Sequence, residues 1–357
     1  MTRAILFHAA GEPLKERSVR APELRCGEVL VRVTCCTLCR SDLHTHAGRR
    51  TEPTPAVLGH EIVGRVEALG PDAPRTDGTG AAVEIGARVT WAVGAGCGAC
   101  FFCRDADLPQ KCERLFKYGH ARATDERPLA GGLAERVVLV PNTALFRVPD
   151  ELPDAVAAQA NCATATAAAV VRAAGSLEGR AVLVFGAGVL GLTACAMARG
   201  AGAAAVIVAD PLPAGRDRAL RFGATRAVDP AEAEAAVRAA TDGRGADAVF
   251  ELAGAARAVE SALGLARVGG TVVLAGTVSP VGSVALDPER AVRRLLTIRG
   301  IHNYHPRDLA AALAFLAGPG RAYPWADLVV AEFPLERAEE AFAAAHAAPG
   351  VRVAVRP

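Results

Sequence analysis

The sequence is short of aromatic rings and of charge imbalance. Aromatic residues make up 4% of its 357 positions, so few rings are available to line a greasy aromatic pocket. Basic and acidic residues nearly balance, leaving a net charge of +2, and no basic run stands out. That is no electrostatic footprint for nucleic acid. Apolar residues reach 51%, much of it alanine, yet no unbroken apolar run approaches the roughly 18 residues that span a bilayer. The opening stretch, MTRAILFHAAGEPLKERS, has too short an apolar core for a secretion signal and no small-residue cleavage site after it. No internal repeat or low-complexity tail is visible. These absences lead us to expect a cytoplasmic, globular protein. Its length suits two domains of about 100–200 residues each.

What the chain does have is cysteine, ten in all. In a reducing compartment they would not form a disulfide framework. Cys97, Cys100, Cys103 and Cys112 fall together in CGACFFCRDADLPQKC, while Cys26, Cys35, Cys36, Cys39, Cys162 and Cys195 are spread out. Four clustered thiolates can close a tetrahedral shell around Zn²⁺, which leaves no open position and predicts a structural zinc. The alternative is a loop of free, oxidisable thiols. A catalytic zinc needs fewer protein ligands and one open position. CCTLCRSDLHTHAG and VLGHEIVG offer Cys39 and His60 as candidates, with Glu61 adjacent.

The organisation is α/β. GEVLVRVTCCTLC, EIVGRVEAL, GARVTWAV and LAERVVLVP show β-branched alternation and predict a β-rich domain over residues 1–155, with GPDAPRTDGTGAAVEIG as an exposed loop. AVAAQANCATATAAAVVRAA then reads as helix. Short apolar strands follow in alternation with helices: AVLVFGAG, AAVIVADP, DAVFELAG, TVVLAGT and LTIRGI. This pattern predicts a doubly wound parallel sheet over residues 156–295. The C-terminal part, from about 296 to 357 and ending in the strand-like RVAVRP, is expected to return to the first domain.

Gly186, Gly188 and Gly191 form G-x-G-x-x-G between an apolar strand and a helical pattern. Gly186 suits the tight turn, Gly188 lets backbone approach a pyrophosphate at the helix N-terminus, and Gly191 permits close helix–strand packing. Asp210 ends the next strand, nineteen residues after Gly191. It can accept hydrogen bonds from both ribose hydroxyls and would repel a 2′-phosphate. NAD is therefore expected over NADP, a preference that the nearby Arg216 and Arg218 weaken.

Taken together, CRSDLH, GHEIVG, the four-cysteine lobe, GAGVLG and ADP resemble the zinc-dependent alcohol dehydrogenases of the medium-chain dehydrogenase/reductase superfamily, over essentially the whole chain. The resemblance implies a GroES-like catalytic domain and a Rossmann coenzyme domain. It implies two zinc ions per chain, a catalytic one on Cys39, His60 and Cys162 and a structural one on the lobe cysteines. It further implies that Asp42 accepts the other N–H of His60, that Ser41 bonds the substrate oxygen, and that His44 takes the proton at the surface by way of the coenzyme ribose. Glu61 resembles the family's carboxylate beside the metal. Arg40 and Arg352 resemble residues that contact the pyrophosphate, and Thr166 the threonine behind the nicotinamide. One departure concerns the lobe: eight residues, RDADLPQK, separate Cys103 from Cys112 where seven are usual. A turn at Leu108-Pro109 could absorb the extra one.

The implied reaction is hydride transfer between a primary or secondary alcohol and NAD, giving an aldehyde or ketone, or the reverse. LPQKC, KYGH, NCATAT and IHNYHPRDL resemble a subgroup found alongside phosphonate metabolism. Arg49, Arg50, Lys117, His302, His305 and Arg307 could supply cations for an anionic or highly hydroxylated substrate. Polyols and cyclitols are the rival substrates. The resemblance also implies a homodimer or homotetramer, with LTIRGI as a pairing edge. The remaining alternatives on this fold are a zinc-free reductase and a non-catalytic NAD-binding protein.

Overall fold

A computed structural model describes residues 1–20 and 22–357. The chain forms two compact units. One holds residues 1–162, 305–317 and 325–357, and the other holds 163–304 and 318–324.

The first unit is built on a seven-stranded sheet. Its organising strand is Val29–Thr37, VLVRVTCCT, which is β-branched at alternate positions and almost wholly buried. It pairs antiparallel with Glu61–Leu69, with Arg136–Leu139 near its start and with the tail strand Arg352–Arg356 near its end. The register sets Glu61 and Ala354 on either side of Thr37. Three strand ends therefore meet where the chain runs on into Cys39, and they carry His60, Glu61 and Arg352 to the same place. Val31, Val33, Ile62, Trp91, Leu133 and Phe342 belong to the core that holds the strands in this register.

The second unit contains six parallel strands. Their order is Arg226–Val228, Ala205–Ala209, Ala181–Phe185, Ala246–Glu251, Ala266–Leu274 and Thr297–Gly300. The strand AVLVF is buried along its whole length, as expected when helices cover both faces of a parallel sheet. The strand order reverses between Ala181–Phe185 and Ala246–Glu251. In such sheets ligands bind beyond the carboxyl ends of the strands at this crevice.

Three local features differ from the sequence reading. The helix expected across AVAAQANCATATAAAVVRAA is broken. Helix Asp154–Ala158 and a 3₁₀ turn, Gln159–Asn161, lead to Cys162 at φ −134°, ψ −81°, and a new helix runs over Ala163–Ala174. Arg226–Val228 is a strand that went unread, because three residues are too few to show a period. Thr297–Gly300 completes the parallel sheet although it lies past the boundary expected at residue 295. The loop from Gly70 to Gly86 is mostly exposed, and Asp77 pins it by accepting N–H bonds from Thr79, Ala81 and Arg147. Among the described residues, no helix is long and apolar enough to cross a membrane.

Leu183 is fully buried in the middle of the parallel sheet. Leu183→Ala should destabilise the second unit by about 2–5 kcal/mol, read as a lower midpoint in denaturant unfolding.

Candidate active site and metal centres

The first centre is arranged by one carboxylate. Asp42 lies in the first turn of helix Arg40–His46, for which Cys39 is the N-cap. Its Oδ2 accepts the N–H of Cys39 at 2.9 Å. Its Oδ1 accepts from Gly59 N and from His60 Nδ1, both at 3.1 Å. The side chains of Asp42 and His60 are 0% and 2% exposed. A buried carboxylate must be satisfied by hydrogen bonds. Here they come from the backbone of one sulfur ligand and from the ring of the nitrogen ligand. The Nδ1 contact assigns the proton to that nitrogen and leaves Nε2 with its lone pair free for a metal.

Cys162 completes the set. Its Sγ lies 4.0 Å from Cys39 Sγ and 3.4 Å from His60 Nε2. The break in the helix at Cys162 brings this sulfur to the other two donors. These spacings suit zinc: bonds of about 2.3 Å to sulfur and 2.0 Å to nitrogen, in a tetrahedral shell, set sulfur–sulfur edges of about 3.8 Å. Three protein donors leave one position open. Ser41 Oγ sits 3.3 Å from His60 Nε2.

Behind the donors lies a second buried pair. Arg352 Nε and one of its terminal nitrogens donate to the two oxygens of Glu61 at 2.7 and 2.8 Å, and the same terminal nitrogen lies 3.5 Å from Cys39 Sγ. Thr37 Oγ1 adds a donor to Glu61 at 2.6 Å. Burial pushes the Glu61 carboxyl up, and Arg352 pulls it back. Arg352, for which the resemblance implies a pyrophosphate contact, is buried against Glu61. A carboxylate buried this completely needs a fixed counter-ion, and the register of the tail strand supplies one. Sequence reasoning could not see this pair, whose members are 291 positions apart.

On the outer side, His44 lies four residues along the helix from Arg40, with Arg40 Nε 3.4 Å from its Nε2. Burial, followed by the Arg40 and Arg49 charges, pushes the His44 imidazole below its ordinary value. His120 packs its ring against His60 at 4.7 Å between centroids, and its Nδ1 is 2.9 Å from Glu52 Oε1. Glu52 also pairs with Arg50 at 2.6 Å. The sequence reading missed Glu52, an unremarkable acid in a proline-rich stretch.

The second centre is the cysteine lobe. Cys100 Sγ lies 3.6 Å from Cys103 Sγ and 3.8 Å from Cys112 Sγ, and all four donor sulfurs lie within 4.8 Å of one another. Backbone N–H groups point at the sulfurs, from Ala99 and Cys100 to Cys97 and from Cys97 and Arg114 to Cys112. The Ala99 N–H, the Arg114 side chain and the Cys100 N–H hold the Cys97 thiol down at about 5. That favours the thiolate form that binds metal. The extra residue is absorbed by Asp107, at φ 52°, and the 3₁₀ turn Pro109–Lys111. Asp107 in turn pairs with His305 at 3.1 Å and with Arg307. Those two cations, considered for substrate, are engaged by the lobe, and His302 is exposed in the other unit.

The glycine motif forms a tight turn between strand Ala181–Phe185 and helix Val189–Gly200. Gly186 has φ 98°, and a Cβ on Gly191 would lie 1.8 Å from the carbonyl oxygen of Gly186. Gly188 is the N-cap of helix Val189–Gly200, whose first N–H groups face the turn. Asp210 is oriented by N–H bonds from Ala187 at 2.7 Å and Leu212 at 2.8 Å. Arg216 bonds the carbonyls of Asp210 and Pro211. Thr166 is partly buried on helix Ala163–Ala174.

Comparisons with known proteins agree with this geometry. Residues 25–150 match the family model described as alcohol dehydrogenase GroES-like domain, and residues 189–318 that described as zinc-binding dehydrogenase. A Mycobacterium tuberculosis protein described as a probable alcohol dehydrogenase is 36% identical over 354 residues, covering 96% of this chain and 94% of its own. The 5-exo-hydroxycamphor dehydrogenase of Pseudomonas putida is 31% identical, with 88% of each chain covered. The alcohol dehydrogenase structure from Thermotoga maritima superposes with a TM-score of 0.92 at 28% identity, over 100% of this chain and 99% of that one. A zinc-binding dehydrogenase structure from Sinorhizobium meliloti with bound NADP gives 0.86 at 30% identity, covering 100% and 99%.

The chain belongs to the zinc-binding medium-chain alcohol dehydrogenase family. It is a zinc-dependent, NAD(P)-linked alcohol dehydrogenase with a GroES-like N-terminal domain and a Rossmann-type domain. Its catalytic zinc site is Cys39, His60 and Cys162, and its structural site is Cys97, Cys100, Cys103 and Cys112.

Asp42→Asn should weaken zinc retention at the first centre by about 10- to 100-fold, measured by competition with a chelator. Cys100→Ser should remove the lobe zinc and lower thermal stability, with zinc content by plasma mass spectrometry falling by one ion per chain.

Proposed function

We propose that the chain oxidises a polar primary or secondary alcohol with NAD, or reduces the matching carbonyl, and that the substrate is a polyol, a cyclitol or a phosphonate-bearing alcohol. The observation that carries this reading is the convergence of Cys39, His60 and Cys162 with Ser41 Oγ beside them. The charged side chains Arg50, Glu52 and Lys117 near the same centre support a polar substrate. So does the relative named L-threonine 3-dehydrogenase, after a charged hydroxy amino acid.

When bound, zinc supplies Lewis-acid polarisation of the substrate oxygen and NAD accepts the hydride. The protein's side chains do the rest. Ser41 Oγ accepts the proton of the alcohol and passes it outward, and His44, held partly neutral by burial and two arginines, receives it at the surface. Asp42 keeps the His60 proton on Nδ1. Glu61, clamped by Arg352, sets the negative charge behind the sulfur ligands. Gly186, Gly188 and Gly191 seat the pyrophosphate, with Arg40 and Thr166 as further coenzyme contacts. Asp210 receives the ribose hydroxyls. The engagement of Arg216 with its own turn supports NAD over NADP, since that arginine is occupied by carbonyls.

Two further readings complete the proposal. Six of the ten cysteines serve in the two metal-donor sets, a use of thiols that suits a reducing, cytoplasmic setting. The edge strand Thr297–Gly300 is exposed along its length, and Val292 and Leu295 beside it are 72% and 71% exposed. That supports a homo-oligomer, dimer or tetramer, paired along this edge.

Ser41→Ala should lower kcat by about 100-fold or more while leaving zinc content at the wild-type level. Steady-state kinetics with a panel of alcohols and plasma mass spectrometry would check both. Asp210→Ser should move the NADP/NAD ratio of kcat/KM upward by about 10-fold or more, because a like charge facing the 2′-phosphate is removed. Retention of the wild-type ratio would count against the role of Asp210.

A further inference from the structure

The segment Phe116–His120 lies directly on the metal ligand His60. Tyr118 anchors it from below: its hydroxyl is 2.6 Å from Thr143 Oγ1 and accepts the N–H of Val140 at 2.8 Å. Gly119, at φ 73°, closes the approach. A Cβ there would stand 2.6 Å from the carbonyl oxygen of Gly59 and 2.8 Å from His60 Cβ. His120 follows this contact and packs on His60, and Lys117, two residues before it, lies within reach of the charges at the same centre.

The charges around them do not balance. Glu52 Oε1 serves both Arg50 Nε at 2.6 Å and His120 Nδ1 at 2.9 Å, so the Arg50 charge is matched and the His120 ring is fixed. Lys117 has no such partner. It is partly buried, and its ammonium reaches solvent while making no hydrogen bond or ion pair among the described residues. Arg50 repels it, while Cys162, Glu52 and Cys39 attract it from a distance. An unpaired ammonium at the edge of this centre offers an incoming anion charge-assisted hydrogen bonds that no protein carboxylate already takes. Glu52, the nearby carboxylate, is already taken by Arg50 and His120.

We propose that Lys117, backed by Arg50, is an anion-recognising subsite beside the catalytic metal, and that the substrate is an alcohol carrying a carboxylate, phosphate or phosphonate group. The inference rests on the alcohol dehydrogenase reading of the same site. It selects the anionic members of the proposed substrate range over neutral polyols and cyclitols. Glu52 and His120 act as positioning residues: Glu52 holds Arg50, and His120 buttresses His60. Lys117 presents a point charge and three donors to the oxyanion, and the guanidinium of Arg50 keeps donors beyond the one given to Glu52.

The test uses the zinc-loaded full chain with NAD and three alcohols of equal length: a hydroxyalkyl carboxylate, a hydroxyalkyl phosphonate and a neutral diol. In the wild type, kcat/KM for at least one anionic alcohol should exceed that for the diol by about 10-fold or more. In Lys117→Met the ratio of anionic to neutral kcat/KM should fall by about 10- to 100-fold, mainly through KM, the loss expected for one hydrogen-bonded charge contact. Lys117→Arg should restore part of it. The arm that responds more strongly tells carboxylate from phosphonate. A wild type that prefers the diol would overturn the subsite. So would a Lys117→Met variant that loses zinc or slows all three alcohols alike, because either result makes Lys117 a counter-ion to the thiolates. Calorimetric titration of the same anions into the NADH complex reads the subsite without turnover. Affinity weakened about 10- to 100-fold in Lys117→Met supports it, and equal affinity overturns it. Tight anion binding without turnover of any alcohol would therefore count against the dehydrogenase reading alone.

Discussion

The catalytic centre depends on a buried carboxylate with three donors. Asp42 takes one N–H from the residue that is the first sulfur ligand, one from the residue before the nitrogen ligand, and one from the imidazole itself. Remove any of these and a buried negative charge is left short of a partner. The loop bearing His60 and the helix turn bearing Cys39 are thus locked to each other before any metal arrives. The same bond that locks them orients the imidazole and raises the basicity of its free nitrogen. Structure and chemistry share one contact.

Around this contact the first unit repeats the same economy. The strand Val29–Thr37 delivers Cys39, the strand that begins at Glu61 delivers His60, and the tail strand delivers Arg352. Arg352 neutralises Glu61, which would otherwise be a second uncompensated charge behind two sulfurs. The broken helix at Cys162 belongs to this pattern. A continuous helix would keep that side chain on a regular face, whereas the break releases one residue from helical geometry and turns its sulfur toward His60.

The two zinc sites make opposite use of similar donors. The lobe brings four sulfurs together and satisfies them with N–H groups from its own turns, a set that would close a shell around zinc from neighbours in sequence. The catalytic site draws only three donors, from distant segments, which would leave a tetrahedral ion one open position. A closed local site can tolerate an inserted residue, since a turn such as Asp107 with Pro109–Lys111 takes up the slack. An open site assembled from far-apart strands has no such freedom.

Locality also decides how much could be read in advance. The glycine turn, the cysteine lobe, the alternation of strands and helices and the Cys39/His60 segments are local patterns, and a period or a spacing reveals them in the bare sequence. The sequence by itself therefore determined the fold class, the glycine turn between strand and helix and the ligand types. Only the tertiary structure decided the direction of Arg352, which depends on sheet register between residues 291 positions apart. It likewise decided the break at Cys162, the engagement of His305 and Arg307 by Asp107, and the sharing of Glu52 between Arg50 and His120 that leaves Lys117 unmatched. The physical reason is common to all four. Charge pairing and ligand geometry are settled by which side chains meet in space, and burial makes that meeting count.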